Sequence, residues 1–201
     1  MTAVRRSAVM ALAALSLVAV GLVGCSSSSA PTAGTCLKSL TVPPSAGAID
    51  PSHPVTPVAV ATGRAIPRIA LGCLDGSGKT QIPALDRPMI ISFWATYCGP
   101  CRAELPDLAA FAKTAGDRLA VIGVDTADDQ SHGRSMASDL HLAFPMLADP
   151  DTQLFKAVAA PGLPTLLFVA PGGRIAYSLS SNQVDGPTLD RLTSKYLGVA
   201  I

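Results

Sequence analysis

The chain contains 201 residues, a length that accommodates one domain of ordinary size and leaves a segment to spare. Because 49% of the residues are hydrophobic and only 14% are charged, the chain can bury a sizeable core, and wholesale disorder is excluded. The formal net charge of +1 provides no electrostatic basis for binding nucleic acid.

The amino-terminal residues 1–24 are predicted to be a secretory signal peptide rather than part of the fold. Arg5 and Arg6 form its basic start, and the apolar run that follows is shorter than the ~20 residues that a membrane-spanning helix needs. Leu22-Val23-Gly24-Cys25 resembles a bacterial lipobox, which predicts that Cys25 is lipidated and that several acyl chains anchor the protein stably. The alternative is a small-residue cleavage site that happens to contain a cysteine.

A lipid-anchored flexible linker and arm are expected over residues 25–63, followed by one folded domain over residues 64–201. The serines after Cys25 form a flexible tether. From Cys36 to Thr62 the chain is rich in Pro, Ala and Gly and shows neither a strand period nor a helix period. This composition predicts an extended arm.

The domain is predicted to be an α/β sandwich around a mixed sheet, because strand and helix patterns alternate along the chain. It opens with a β-hairpin, Ile66–Leu71 and Lys79–Ile82, whose turn contains Gly76 and Gly78. The remaining predicted elements are a strand over 89–95, a helix over 99–114 that includes Pro106, a strand over 119–124, a helix over 131–142, a short helix ending near 158, strands over 165–169 and 174–179, and a helix over 187–197.

A Cys-x-x-Cys motif, formed by Cys98, Gly99, Pro100 and Cys101, follows the first long strand directly and begins the longest predicted helix. At a helix start, Cys98 meets unpaired backbone N–H groups and the positive end of the helix dipole, and both favour the thiolate over the thiol. The thiolate is the species that attacks disulfides, so Cys98 is the predicted nucleophile. Cys101 lies one turn further on the same face, where it can resolve a mixed disulfide.

Two separate motifs resemble the thioredoxin superfamily. Residues 93–101, Phe-Trp-Ala-Thr-Tyr-Cys-Gly-Pro-Cys, resemble its active-site signature, and the continuation through Pro106 is similar to the extracytoplasmic TlpA/ResA-like branch of bacterial thiol-disulfide oxidoreductases. Gly162-Leu163-Pro164-Thr165 resembles the cis-proline segment of the family. The resemblance covers roughly residues 64–198 and implies a thioredoxin-like three-layer α/β/α sandwich with an N-terminal β-hairpin extension.

The resemblance implies a catalytic role for Glu104 beside the two cysteines. ResA-like proteins have a glutamate at this position beneath the active site, and Glu104 lies three residues after Cys101, on the inward face of the helix. A partly buried carboxyl has a raised pKa and can exchange a proton with Cys101. The alternative is an ordinary solvated carboxylate on the helix surface.

The client-binding residues are also implied by the resemblance. Pro164 is expected to be cis and to lie opposite the thiols, which leaves the Leu163 backbone free to pair with an extended client chain. An ordinary trans proline at the start of a strand is the alternative. Trp94 and Tyr97 are expected to contact the client as well, and Tyr97 replaces the more common tryptophan before the first cysteine.

The cysteine count predicts a second disulfide. With Cys25 acylated, four cysteines remain, and four permit three pairings. Because Cys98 and Cys101 form the redox-active pair, Cys36 and Cys73 are left to form a structural disulfide, which persists outside the cytoplasm and joins the arm to the first hairpin. Two inert free thiols are the alternative.

The expected function is therefore that of a lipid-anchored thiol-disulfide oxidoreductase on the extracytoplasmic face of the cell membrane. The expected partners are thiol- or disulfide-containing client proteins and a membrane redox partner that recycles the site. No cofactor, metal or nucleic acid is expected to bind, and the protein is expected to be a monomer.

Disulfide reduction is the expected direction, as in the ResA-like reductases that service apocytochrome c. Gly99 and Pro100 add no donor or positive charge beside Cys98, so its thiolate gains little extra stabilisation and the potential stays low. The alternatives are an oxidase of secreted protein thiols, a peroxidase, and a copper-binding metallochaperone on the same fold.

Overall fold

The structure is a computed structural model that describes residues 36–41, 63–181 and 184–201. The predicted signal peptide, Cys25 and most of the predicted linker lie outside the described residues. The helices are α1 (Lys38–Thr41), α2 (Gly99–Ala115), α3 (Gln130–Asp139), α4 (Gln153–Ala157) and α5 (Gly186–Leu197). The strands are β1 (Leu71–Cys73), β2 (Lys79–Thr80), β3 (Met89–Trp94), β4 (Ala120–Thr126), β5 (Met146–Asp149), β6 (Thr165–Ala170) and β7 (Arg174–Leu179).

In the described part of the chain, all of these strands form one sheet in the order β2-β1-β5-β4-β3-β6-β7. The three central strands β3, β4 and β5 are parallel neighbours, and α2 and α3 supply the crossovers between them. The β1–β2, β1–β5, β3–β6 and β6–β7 pairs are antiparallel. The mixed sheet that the sequence predicts is therefore confirmed.

The central strand β3 is buried on both sides along its whole length. Its alternate side chains point to opposite faces of the sheet, so Ile90 and Trp94 join one core while Ile91 and Phe93 join the other. Burial of all six positions explains why the sequence of this strand is an apolar run rather than an alternating pattern.

Helices cover both faces of the sheet. On one face, α2 and α5 contribute buried leucines such as Leu105 and Leu189. On the other face lie Leu37, just before α1, Leu40 of α1 and Leu154 of α4. Two helical layers around a mixed sheet confirm the predicted three-layer α/β/α class.

Three features differ from the sequence-based expectations. Strand β5 is absent from the elements predicted from the sequence. Both hairpin strands are shorter than predicted, and β1 also lies later in the chain. The extended arm expected from Cys36 instead begins with the helical turn α1, which is held by two buried leucines. A third difference is that β4 continues past Val124 to Thr126, and this extension includes Asp125, a buried residue of the site region.

Candidate active site

Cys98 lies where the backbone turns from β3 into α2. The strand ends at Trp94, the Cys98 N–H donates to the Ala95 carbonyl at 3.2 Å, and Cys98 is the N-cap residue of the helix. Gly99 and Pro100 form the first turn, where backbone N–H groups have no intrahelical partner, so the proline costs no hydrogen bond.

The two cysteines of this turn are bonded to each other as a disulfide, with their Cα atoms 5.3 Å apart. They differ in accessibility, because Cys98 is 8% exposed whereas Cys101 is completely buried. The Cys101 N–H donates to the Cys98 sulfur at 3.2 Å. A sulfur that accepts an N–H at a helix start is well placed to exist as a thiolate once the disulfide is reduced.

Glu104 lies on the buried face of α2, one turn beyond Cys101. Its side chain is only 5% exposed, and neither carboxyl oxygen has a hydrogen-bond partner within the described residues. Burial raises the pKa of Glu104 from 4.5 to about 8, so the carboxyl is largely protonated at neutral pH. The position of this carboxyl inside the helix layer does not match the solvated-surface alternative.

The Leu163–Pro164 peptide bond is cis, at the start of β6. Leu163 lines a groove of about 480 Å³ that also contains Tyr97, Cys98, Pro100, Thr126 and Phe155. All the side chains that line this groove are uncharged. The groove therefore brings the accessible sulfur and the cis-proline segment together beside a neutral, partly apolar surface.

The two aromatic residues expected to contact clients differ in exposure. Tyr97 is 64% exposed and lines the groove, so it is available for contact. Trp94 is completely buried in the core, and the contact role expected for it does not fit this position. Strand β3 extends to Trp94 and points its ring inward, toward Gly123 of β4, where an added Cβ would lie 3.0 Å from the indole nitrogen.

Two acidic residues near the site are absent from the sequence-based set of site residues. Asp125 is 1% exposed near the end of β4, directly opposite Trp94 in the parallel register. Asp128 accepts the backbone N–H of Thr96, two residues before Cys98. The segment Val-Asp-Thr-Ala-Asp-Asp at 124–129 contains a sequence signal for these two residues. Aspartate is rarely buried, so an aspartate that directly continues a buried apolar strand is unusual.

Cys36 and Cys73 form the other disulfide, with Cα atoms 5.8 Å apart and a sequence separation of 37. Cys73 is completely buried in β1, and Cys36 precedes α1, so the bond holds this helical turn against the sheet. The Cys73 carbonyl also accepts from the Gln130 side chain at 2.7 Å, which links β1 to the start of α3.

Replacing both Cys36 and Cys73 with serine should lower the free energy of unfolding by about 3–4 kcal/mol, because the bond closes a long loop in the unfolded chain. Thermal melts of the oxidised proteins measure the effect. The matched control is the Cys98→Ser/Cys101→Ser protein. It lacks a disulfide whose cysteines have a sequence separation of only 3, so its loss of stability should be smaller. An unchanged melting temperature, or mass mapping that finds Cys36 and Cys73 unpaired, would refute the structural role.

The described residues contain no group of three or more His, Cys, Asp or Glu side chains arranged to hold a metal ion. His132 and His141 are both exposed. Within residues 36–41, 63–181 and 184–201, no helix has the length and apolar character needed to cross a membrane. Cys25, the predicted lipidation site, lies outside the described residues.

The sequence matches the AhpC/TSA family over residues 62–178. The thioredoxin-like protein YneN of Bacillus subtilis is 34% identical over 95 residues, which are 46% of this chain and 56% of that protein, so the chain spans little more than half of that relative. The thiol-disulfide oxidoreductase ResA of Geobacillus thermodenitrificans is 25% identical over 120 residues, which are 58% of this chain and 68% of that protein.

The solved structure of dsbF from Mycobacterium tuberculosis (MTB) is similar to this one with a TM-score of 0.60 at 22% identity, over 67% of this chain and 99% of that chain. This similarity confirms the thioredoxin-like fold. The family match covers more than half of the chain, and the Cys98–Cys101 pair lies within it. The chain therefore belongs to the AhpC/TSA family and is a thiol-disulfide oxidoreductase with a thioredoxin-like fold.

Proposed function

We propose that this protein reduces disulfide bonds in extracytoplasmic client proteins through Cys98 and Cys101, while a lipid on Cys25 holds it at the cell membrane. The observation that supports this best is the position of Cys98. It is the more accessible of the two sulfurs, and it lines an uncharged groove together with Leu163, next to the cis Pro164.

The groove favours an extended client chain. Leu163 lines the groove beside Cys98, and its backbone is proposed to pair with a client strand by edge pairing. Tyr97 and Phe155 offer aromatic surface on the same groove, and Phe155 is held by an edge-to-face contact with the buried Phe93, with ring centroids 5.6 Å apart. Backbone pairing with apolar contacts beside the cysteine suits unfolded or partly folded clients.

The proposed reaction is a two-step exchange. The Cys98 thiolate attacks one sulfur of the client disulfide, the client S–S bond breaks, and the client's other sulfur leaves as a thiolate that takes up a proton. Cys101 then loses its proton and attacks the Cys98 sulfur, which forms the Cys98–Cys101 disulfide and releases the second client thiol. Two electrons move from the protein to the client, and the client gains two protons.

Glu104 is proposed to hold and move the proton of Cys101. A buried carboxyl whose pKa is raised to about 8 exchanges protons readily near neutral pH. Because Glu104 lies one helical turn from Cys101 on the same buried face, the fraction of Glu104 that is ionised near its pKa can accept the proton when Cys101 attacks.

The electrostatics around Cys98 support the reducing direction. The first turn of α2 contributes one N–H to the Cys98 sulfur, and neither Gly99 nor Pro100 adds a charge. A thiolate with modest stabilisation keeps the reduced form reactive and the potential low. An oxidase of secreted thiols is the competing direction, and it would require a more strongly stabilised thiolate.

Each turnover leaves the Cys98–Cys101 disulfide behind, so a donor of two electrons must restore the dithiol. A membrane redox partner fits a protein anchored through the lipobox that ends at Cys25. A role in the maturation of cytochrome c is included in this proposal, because its cysteine pair must be reduced before haem attachment.

The direction is tested by running both reactions with one preparation. Reduced protein should accelerate the reduction of insulin by dithiothreitol, and oxidised protein should give little acceleration in the oxidative refolding of a reduced client. The Cys98→Ser/Cys101→Ser protein controls for background in both assays. Strong refolding activity with weak insulin reduction would reverse the proposed direction.

A further inference from the structure

The loop that precedes Cys98 rests on a carboxyl from a neighbouring strand connection. Asp128, in the turn after β4, accepts the backbone N–H of Thr96 through one oxygen and the N–H of Asp129 through the other. Thr96 lies two residues before Cys98, so Asp128 fixes the backbone from which the nucleophile projects.

Asp128 has a buried carboxyl as its neighbour. The Asp125 side chain is 1% exposed, and neither of its oxygens receives a hydrogen bond from the described residues. Asp128 lies only three residues further along the chain, and both its charge and a side-chain hydrogen bond with it act on the Asp125 carboxyl. Two ionised carboxylates side by side repel each other strongly. A single proton shared between them removes this repulsion.

The proton resides on Asp125. Its pKa is raised from 3.8 to about 7, mostly by burial and in addition by the neighbouring charges of Asp128 and Asp129 and a hydrogen bond with Asp128. Burial acts in the same sense on Asp128, but the hydrogen bonds from Thr96 and Asp129 and the charge of His132 outweigh it and lower the pKa of Asp128. In weakly acidic solution the pair therefore consists of a neutral donor, Asp125, and a charged acceptor, Asp128.

The surroundings of Asp125 keep this arrangement in place. From α3, Gly133 faces it so closely that an added Cβ would lie 2.0 Å from the Asp125 oxygen, and Leu74 approaches from the turn after β1. The charged residues next to these two contacts are exposed: His132 and Arg134 on α3, and Asp75 after Leu74. Trp94 faces Asp125 from β3 across the sheet register, and Glu104 of α2 is the buried carboxyl of the helix layer on the same sheet face.

We propose that Asp125 and Asp128 form a proton-sharing carboxyl pair that positions the loop 95–98 and therefore Cys98. When the shared proton leaves, the pair constrains the position of this loop less tightly. The Asp125 hydroxyl donates to the Asp128 carboxylate, which in turn accepts the Thr96 N–H. When Asp125 ionises, the two negative charges repel each other. Asp128 can then no longer both stay beside Asp125 and accept the Thr96 N–H. Both residues are positioning residues, because neither touches the reacting sulfurs, and the consequence for client attack rests on the proposed function.

The direct test follows the Thr96 amide by nuclear magnetic resonance in the oxidised full-length protein between pH 5.5 and 8.5. In the wild type its proton shift should move with a midpoint near pH 7. In Asp125→Asn the shift should stay constant, because the amide of asparagine donates to Asp128 at every pH. In Glu104→Gln the shift should still titrate, which separates this pair from the other buried carboxyl.

A second variant keeps the test decisive if Asp125→Asn folds poorly. In Asp128→Asn the neighbouring negative charge is replaced by a donor, so the titration of Asp125 should move to lower pH, as judged from the amides around Trp94. A Thr96 amide that does not titrate in the wild type would overturn the proposal. So would one that titrates equally in Asp125→Asn.

The effect on reactivity is measured separately, with an aromatic disulfide reagent as the probe. The rate at which reduced Cys98 attacks it, corrected for the thiolate fraction, should fall about tenfold in Asp128→Asn because the nucleophile is displaced. In the wild type, the corrected rate of attack by Cys98 should also decrease above pH 7, and in Asp125→Asn it should not. The same decrease in both proteins would contradict a link between the Asp125 proton and the position of Cys98. Absence of attack in every protein, with the Thr96 titration intact, would instead count against the proposed function.

Discussion

The Cys101→Ser protein, reduced and then challenged with an oxidised client, should accumulate mixed disulfides through Cys98, whereas Cys98→Ser should accumulate almost none. Cys98 is the partly exposed sulfur and accepts the Cys101 N–H, while Cys101 is completely buried. A client sulfur can therefore reach only one of the two, and without Cys101 the first mixed disulfide has no resolving thiol. Non-reducing gels and peptide mass mapping identify the trapped bond.

Both single variants should reduce insulin at the uncatalysed background rate, so the trapping pattern rather than activity distinguishes their roles. The matched control is Cys36→Ser/Cys73→Ser, which should trap no client and should retain the active pair. Equal trapping by Cys98→Ser and Cys101→Ser would contradict the assignment. A client bond mapped to Cys36 or Cys73 would contradict it as well.

Replacing Glu104 with Gln should stabilise the oxidised protein at alkaline pH and leave its stability nearly unchanged at pH 4. The pKa of Glu104 is raised from 4.5 to about 8 by burial, so the folded state holds a proton that the unfolded state has lost. This contribution to wild-type stability is present below pH 4.5 and is lost as the pH rises through about 8. The neutral glutamine has no such loss, and the full difference corresponds to roughly 3–5 kcal/mol.

Thermal melts of wild type and Glu104→Gln at pH 4, 6 and 9 measure this difference, which should grow to roughly 10 °C at the highest pH. The matched control is Asp107→Asn, which removes a carboxylate from the exposed face of the same helix and should give no comparable trend. Asp125 adds to the pH dependence of both proteins and therefore cancels in the comparison. If the melting temperatures of wild type and Glu104→Gln instead change with pH in parallel, Glu104 behaves as a solvated surface carboxylate, and its proposed burial is contradicted.

The same variant should alter the thiols. A carboxylate beside Cys101 disfavours its thiolate and can take its proton, so Glu104→Gln should change the pH profile of the resolving step while Cys98 still attacks. Single-turnover release of the client thiol from the mixed disulfide measures that step. Identical profiles in the two proteins would remove Glu104 from the proton path.

The local chemistry of the site is readable from the sequence because it depends on residues close together in the chain. Cys98 and Cys101 share one helical turn, the apolar run before them is β3, and Glu104 lies one turn further on the same face. These relations follow from helix and strand periodicity alone. The mixed sheet also follows from the order of predicted elements, and the structure confirms it.

Features that depend on distant parts of the chain are not readable in this way. Strand β5 has four residues without alternation, and its pairing is set by β1 and β4, which lie far from it in sequence. The client contact predicted for Trp94 requires exposure, which depends on the parts of the chain that cover β3, and in the structure Trp94 is completely buried in the core. Asp125 is likewise identified as a site residue only when α3 packs Gly133 against it and Asp128 lies beside it.

The reduction potential of the Cys98–Cys101 couple tests most directly whether this site reduces its clients. Purified protein, with Cys36 and Cys73 replaced by serine so that only one couple titrates, is equilibrated with glutathione or dithiothreitol buffers and its thiols are counted by mass after alkylation. A modestly stabilised Cys98 thiolate predicts a value near that of thioredoxin, about −270 mV. A value near that of DsbA, about −120 mV, would contradict the proposed reductase and identify the protein as an oxidase.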